Sequence, residues 1–272
     1  VQTCALPILG PKWDKAIAAF RKRFDVGKWK MLQDAPLEFG GRTIRQLPDF
    51  GFEISMGRYL RQRGKEIPLE KGRATQESQK ATPQEITGMR GLLGSIAWAA
   101  REGMPQGAGE ASILASTMPE PLVKDVKECN AAFKRLLKMD APVPIKPIPL
   151  DRLKLLVFSD SALGNAGGGR SQCCHMICAA DQRIREGKES PISVLTHKSH
   201  KNPRVGSSSL LVEANALSEA LAESEWVTSW LLHARDFEYD ARKRQTLNRE
   251  IKITSVMREP ESELKELLAI TD

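Results

Sequence analysis

Apolar positions at Trp13, Ile17, Phe20 and Phe24 recur at helical spacing until Gly27 interrupts them, so residues 12–25 are expected as an amphipathic helix. The period then drops to two. Leu37 and Phe39 alternate before Gly40 and Gly41, and Phe52, Ile54 and Met56 alternate after the turn-forming run Pro48, Asp49, Phe50, Gly51, which predicts a hairpin. Residues 64–82 are polar, with little periodicity, and read as a loop or linker. From Pro83 the helical period returns: Ile86, Met89, Leu93, Ile96, Ala97 and Ala100 share one face. Leu122, Val126, Phe133, Leu136 and Leu137 share another, so two or three packed helices are expected.

Four prolines within residues 141–149 forbid a helix and predict an extended spacer, the clearest domain boundary in the chain. Beyond it, residues 153–159 form an unbroken apolar run of buried-strand type, with further strand candidates at 171–180 and 192–196. Residues 209–234 predict a long helix with Leu210, Val212, Ala216, Leu217, Ala220, Leu221, Val227 and Leu231 inward. Trp226 and Trp230 are expected in core or interdomain packing. Residues 237–263 are charged and patternless, and the apolar run 264–272 ends on Asp272 as a closing strand. Three strands, a long helix and a last strand make a mixed α/β order, a meander followed by a parallel addition.

At 272 residues and 41% hydrophobic content the chain can bury a sizeable core. No apolar run reaches the roughly 18 residues that cross a bilayer, so no membrane partner and an intracellular location are expected. Five cysteines without an even framework favour reduced thiols. The net charge of +7 is uneven: residues 12–80 carry 16 basic against 9 acidic groups, and residues 81–272 carry 25 of each. That asymmetry suits a polyanion-binding segment or a solvated basic surface.

Candidate chemistry centres on acids at element ends. Asp160 closes a buried-type strand, where a carboxylate is costly unless paired or ligating, although a turn residue bonding its own backbone is the ordinary use. Glu213 follows Ser207–Ser209, a capping run, and sits among the expected inward positions of its helix; its ordinary reading is an exposed glutamate. A strand and a helix each delivering one carboxylate, with Asp272 from a third element, is the way oxygen ligands for two divalent cations are held rigidly. Cys173, Cys174, His175 and Cys178, with His197 and His200, invite a zinc site. Strand alternation would set Cys173 and Cys174 on opposite faces, so buried small residues are the favoured reading. Gly167, Gly168 and Gly169 before Arg170 suit a hairpin turn better than a phosphate cradle.

Several motifs together resemble the polymerase polyprotein of copia-type retrotransposons, from the end of the reverse transcriptase into ribonuclease H. FRKRF at 20–24, GKWK at 27–30 and FGGRTI at 39–44 are similar to the segment after the polymerase active site. MRGLLGSIAW at 89–98 resembles the helix of the connecting region. FSDSA at 158–162, PISV at 191–194 and SSLLVEANAL at 208–217 resemble the first strand, the third strand and the acid-bearing helix of ribonuclease H.

The resemblance implies an α/β (α+β) organisation. Residues 9–82 would be the palm/thumb-like end of a reverse transcriptase, 83–140 a helical connection, 141–149 the Pro-rich linker, and 150–272 an incomplete ribonuclease H-like mixed-sheet domain. Residues 1–8 resemble a translated sequencing adapter and are set aside. The implied ligands are Asp160, Glu213 and Asp272, the cofactor Mg2+ or Mn2+ in its place, and the substrate the RNA strand of an RNA–DNA hybrid. The remainder of the polyprotein is the other implied partner. The chain departs from the pattern in having no adjacent aspartates for polymerase chemistry, LGN at 163–165 in place of an aromatic, and LLVEAN around Glu213. Its 59-residue separation of Glu213 from Asp272 is also longer than usual. A truncated, weakly active or inactive fragment is therefore expected, with a catalytically dead nucleic-acid-binding module or degenerate remnant as the alternative.

Overall fold

The computed structural model describes residues 11–24, 32, 34–235, 239 and 240. Among them the chain is mixed α/β, with six α-helices and two antiparallel sheets. Helix α1 spans Pro11–Arg23, two residues from the expected bounds. Strands β1 (Leu37–Phe39), β2 (Arg42–Gln46) and β3 (Phe52–Ser55) form a meander, so the expected hairpin is one of two. A short helix, α2 (Gly57–Arg63), follows.

Helix α3 (Pro83–Gly103) starts where its caps dictate. Thr82 Oγ1 accepts from the Glu85 amide while the Glu85 carboxylate accepts from the Thr82 amide, and Pro83 supplies the preset φ of a first turn. Helices α4 (Ala108–Thr117) and α5 (Val123–Lys138) complete a three-helix layer. Met89, Leu92, Leu93, Ile96 and Ala99 of α3 meet Val126, Cys129, Phe133 and Leu136 of α5, and Met56, Leu60 and Ile67 from the preceding segment join the same core. Residues 34–82 and 83–140 thus share one interior. Ala97, expected inward, is exposed.

The Pro-rich stretch is extended, as expected, but it is docked. Its strand β4 (Val143–Ile145) pairs with β3, and Pro144 stands opposite Glu53 on a sheet edge, where a missing N–H costs no ladder bond. The Lys146 amide then donates to Ser193 Oγ at 2.7 Å, tying this edge to the second sheet.

That second sheet is a meander of β5 (Leu153–Ala166), β6 (Arg170–Asp181) and β7 (Ile192–Lys201), paired antiparallel in the order β5-β6-β7. Gly168 and Gly169, both at positive φ, form the turn between Ala166 and Arg170, the hairpin use expected of this glycine run. Helix α6 (Ser209–Arg235) packs on β5 and β6. The expected parallel addition falls at the chain's end, outside the described residues. No described helix is long and apolar enough to cross a membrane.

Candidate functional site

The faces of the second sheet follow from its register. Residues paired directly across an antiparallel ladder project to the same side, and successive residues alternate. Ser161 pairs with Cys173 and Cys173 with His200, so these three share a face. Cys173 also clusters with Val212 and Ala216 of α6, which identifies that face as the one α6 covers. Asp160 pairs with Cys174 and therefore projects from the other side, with Phe158, Leu156, Met176 and Cys178.

Asp160 is exposed and lies within β5, which runs on to Ala166, so it is not the strand-end residue expected; its Oδ1 still accepts from the Ser161 amide at 2.8 Å. Its carbonyl oxygen lies 3.6 Å from the Cys174 thiol. Glu213 stands one residue after the buried Val212 in the first turns of α6 and is half-buried. The two acids come from opposite sides of the β5/β6 edge yet share a neighbour. Burial raises the Cys174 thiol above its ordinary range, and the charges of Asp160 and Glu213 both push it further the same way. The structure thus brings Asp160 and Glu213 to one level of the sheet without facing their carboxylates across one cleft. Asp272 lies outside the described residues.

Two carboxylates are suitable oxygen donors for a hard divalent cation. Among the described residues, however, no group of three His, Cys, Asp or Glu side chains gathers closely enough to hold a metal ion. Asp160 and Glu213 therefore do not make a complete metal site by themselves.

The zinc reading of the cysteine–histidine run divides along the same alternation. Cys173, His175 and His200 lie under α6, whereas Cys174, Cys178 and His197 lie on the far face, where His197 Nε2 is 2.9 Å from the Ala100 carbonyl. Burial pushes the Cys178 thiol up to about 11, which leaves it protonated and a poor ligand at neutral pH.

Sequence reasoning missed the polar seam beneath α6. Glu219 Oε2 is 2.8 Å from His200 Nε2 and 3.9 Å from Lys198 Nζ, and Thr196 Oγ1 donates to Glu223 Oε1 at 3.4 Å. The His200 contact is close but poorly directed, since Glu219 Oε2 keeps no hydrogen-bond partner. The available signal was Glu219 and Glu223 at i, i+4, opposite a β7 strand that alternates Thr196, Lys198 and His200.

Of the positions expected inward on α6, Val212, Ala216, Ala220 and Val227 are buried, whereas Leu210 and Leu221 are exposed. Leu210 is 78% exposed, Trp226 64% and Trp230 61%, while Val212, Ala216, Ala220, Ser224 and Val227 face inward. Apolar residues surround α6 on all sides, so periodicity could not choose a face. The close approach of the sheet selects the small ones.

Part of the basic first third is paired across segment borders, while Glu77 and Glu66 of the same segment pair with Lys127 and Lys134 beyond it. Arg42 pairs with Glu102, Arg61 with Asp140, Arg73 with Glu85 and Lys80 with Glu120, each acid lying beyond residue 80. The last turn of α1, with Arg21, Lys22 and Arg23, stays exposed. No family model, curated protein or solved structure matches this chain.

Proposed function

We propose that residues 150–272 are a ribonuclease H-type hydrolase module belonging to a retrotransposon reverse transcriptase polyprotein, with the RNA strand of an RNA–DNA hybrid as substrate. The observation that carries this reading is one of order and level. A three-stranded antiparallel meander precedes a helix laid on its first two strands, with Asp160 in the first strand opposite Cys174 and Glu213 in the helix's first turns, one residue after the Val212 that packs on Cys173. The motif resemblance at 158–162, 191–194 and 208–217 runs in the same order. The resemblance would have magnesium held by Asp160, Glu213 and Asp272, where it would polarise the scissile phosphodiester; Asp160 and Glu213 come from opposite sides of the β5/β6 edge and would have to be brought together for one ion to bind both.

The test is cleavage of a labelled RNA–DNA hybrid in magnesium by the chain and by Asp160→Asn and Glu213→Gln. Cleavage abolished by either substitution supports the reading. Because the chain as given is expected to cleave weakly or not at all, the same assay is run on the chain extended through its native downstream sequence; no cleavage there, or cleavage that survives both substitutions, removes the reading.

A second reading, a nucleic-acid-binding module without chemistry, is favoured by a specific observation: Asp160 projects from the sheet face away from α6. In that reading the exposed basic turn of α1 grips the phosphate backbone, and binding to the hybrid persists unchanged in Asp160→Asn.

A further inference from the structure

The seam between α6 and the sheet holds an unusual concentration of unsatisfied polarity. Ser161 Oγ, His175 Nε2, His200 Nδ1 and Glu219 Oε2 are all buried there without a hydrogen-bond partner. Buried polar groups are rarely left so, and each lowers the stability of the docked arrangement relative to one in which water reaches it. His175 is the centre of the group. It is only 5% exposed, on the β6 face that α6 covers, two residues from Cys173 and in register with Ser159 and Lys198.

The ionisable groups around the imidazole come from three elements. Strand β6 contributes Cys173 and β7 contributes Lys198 and His200. Helix α6 contributes Glu219 and Glu223, with Glu213 acting on Cys173.

We propose that this seam is a proton-sensitive latch: α6 seats on the sheet while His175 is neutral, and mild acidification releases the helix without unfolding the α3–α5 core.

The direction follows from the surroundings. Burial holds the His175 imidazole below its ordinary 6.5; the Lys198 and His200 charges act the same way, and Glu223 and Glu219 oppose them without prevailing. Once α6 lifts, the imidazole is hydrated and takes its proton near that ordinary value. The released state thus binds more protons, and each pH unit below 6.5 favours release by up to about tenfold, until the docked imidazole itself titrates. Above 6.5 the latch is insensitive to pH.

The helical core answers to a different group. Glu85 is held below its usual 4.5 by the hydrogen bonds from Arg73, so its loss comes at lower pH than the seam's.

Amide hydrogen exchange read by mass spectrometry, corrected for intrinsic rates, separates the two regions at about pH 7.5 and about pH 5.5. Protection across residues 212–227 of α6 is expected to fall several-fold, up to about tenfold, while residues 89–96 of α3 keep theirs. The fall should vanish in His175→Asn and persist in His200→Asn. Equal protection of α6 at both pH values, or a fall that survives in His175→Asn, overturns the proposal. If His175→Asn does not fold, nuclear magnetic resonance titration of the unsubstituted chain decides. Proton uptake by His175 below 6.5 together with loss of the α6 amide signals over the same pH range upholds the latch; uptake with the α6 amides unchanged, or uptake at or above 6.5, overturns it.

Discussion

Val212→Ala against Leu221→Ala tests which of two positions expected inward from the hydrophobic pattern the structure buries. Val212 is fully buried against Cys173 and Ala216, and Gly206 approaches its Cγ2 so closely that a Cβ there would collide. Removing two methyl groups forfeits about 0.8 kcal/mol each in transfer free energy, and incomplete collapse of the void adds somewhat more. The better helix propensity of alanine returns roughly 0.5 kcal/mol, so a net loss of about 1–2 kcal/mol is expected. Leu221 is 46% exposed, and its truncation should cost no more than about 0.5 kcal/mol. In urea unfolding followed by circular dichroism, the Val212 variant should show the lower midpoint at unchanged slope. A Leu221→Ala loss equal to or larger than that of Val212→Ala would refute the packing face, and with it the placement of Glu213 beside the Cys173–Cys174 level of β6.

Glu85, whose carboxyl is held below the ordinary range chiefly by the Arg73 hydrogen bonds, contributes stability above its unfolded value of 4.5 and loses it as pH falls through the lower folded value. The unfolding midpoint should drop below about pH 5 in the unsubstituted chain, and this drop should be smaller in Glu85→Gln. In the thiols, burial pushes Cys129 up to about 12 and Cys178 up to about 11. Alkylation at about pH 8 followed by peptide mapping should leave both unmodified in the folded chain, and labelling of either at the rate of a denatured control would contradict their burial. Replacing Arg21, Lys22 and Arg23 by alanine should lower the salt slope of hybrid binding by roughly 0.9 for each phosphate no longer neutralised, as read by fluorescence anisotropy over a salt series. An unchanged slope would move the binding surface off α1.

Local chemistry made much of this fold legible. Thr82, Pro83 and Glu85 mark the start of α3 almost unaided, and four prolines are enough to make residues 141–149 extended. The apolar run 153–159 and the capping serines before Leu210 likewise place β5 and α6. What escaped was long-range. Nothing near Pro144 reveals that Glu53 waits opposite it, because strand pairing between residues some ninety positions apart is decided by the packing of everything between. Ala216 and Ala220 were legible as inward, but the exclusion of Leu210 and Leu221 from that face depends on how closely the sheet approaches, which no helical period records.

The candidate acids show the same divide. Asp160 on a strand and Glu213 on a helix are visible as residue types, but the face each projects from is set by cross-strand register: Asp160 opposite Cys174, Cys173 under Val212. The charge asymmetry is likewise only partly legible from composition. Composition counts Arg42, Arg61 and Arg73 as basic excess, whereas the fold sets Glu102, Asp140 and Glu85 against them.

Whether Asp160 and Glu213 serve one metal ion is tested most directly by titrating Mn2+ into isotope-labelled chain and following paramagnetic broadening of backbone amides. If the two acids share a site, Asp160, Cys174 and Glu213 broaden together at the same metal concentration, and Asp160→Asn weakens the effect at all three. Broadening confined to one acid, or absent from both while other carboxylates broaden, would contradict the proposed hydrolase site and leave the binding reading in its place.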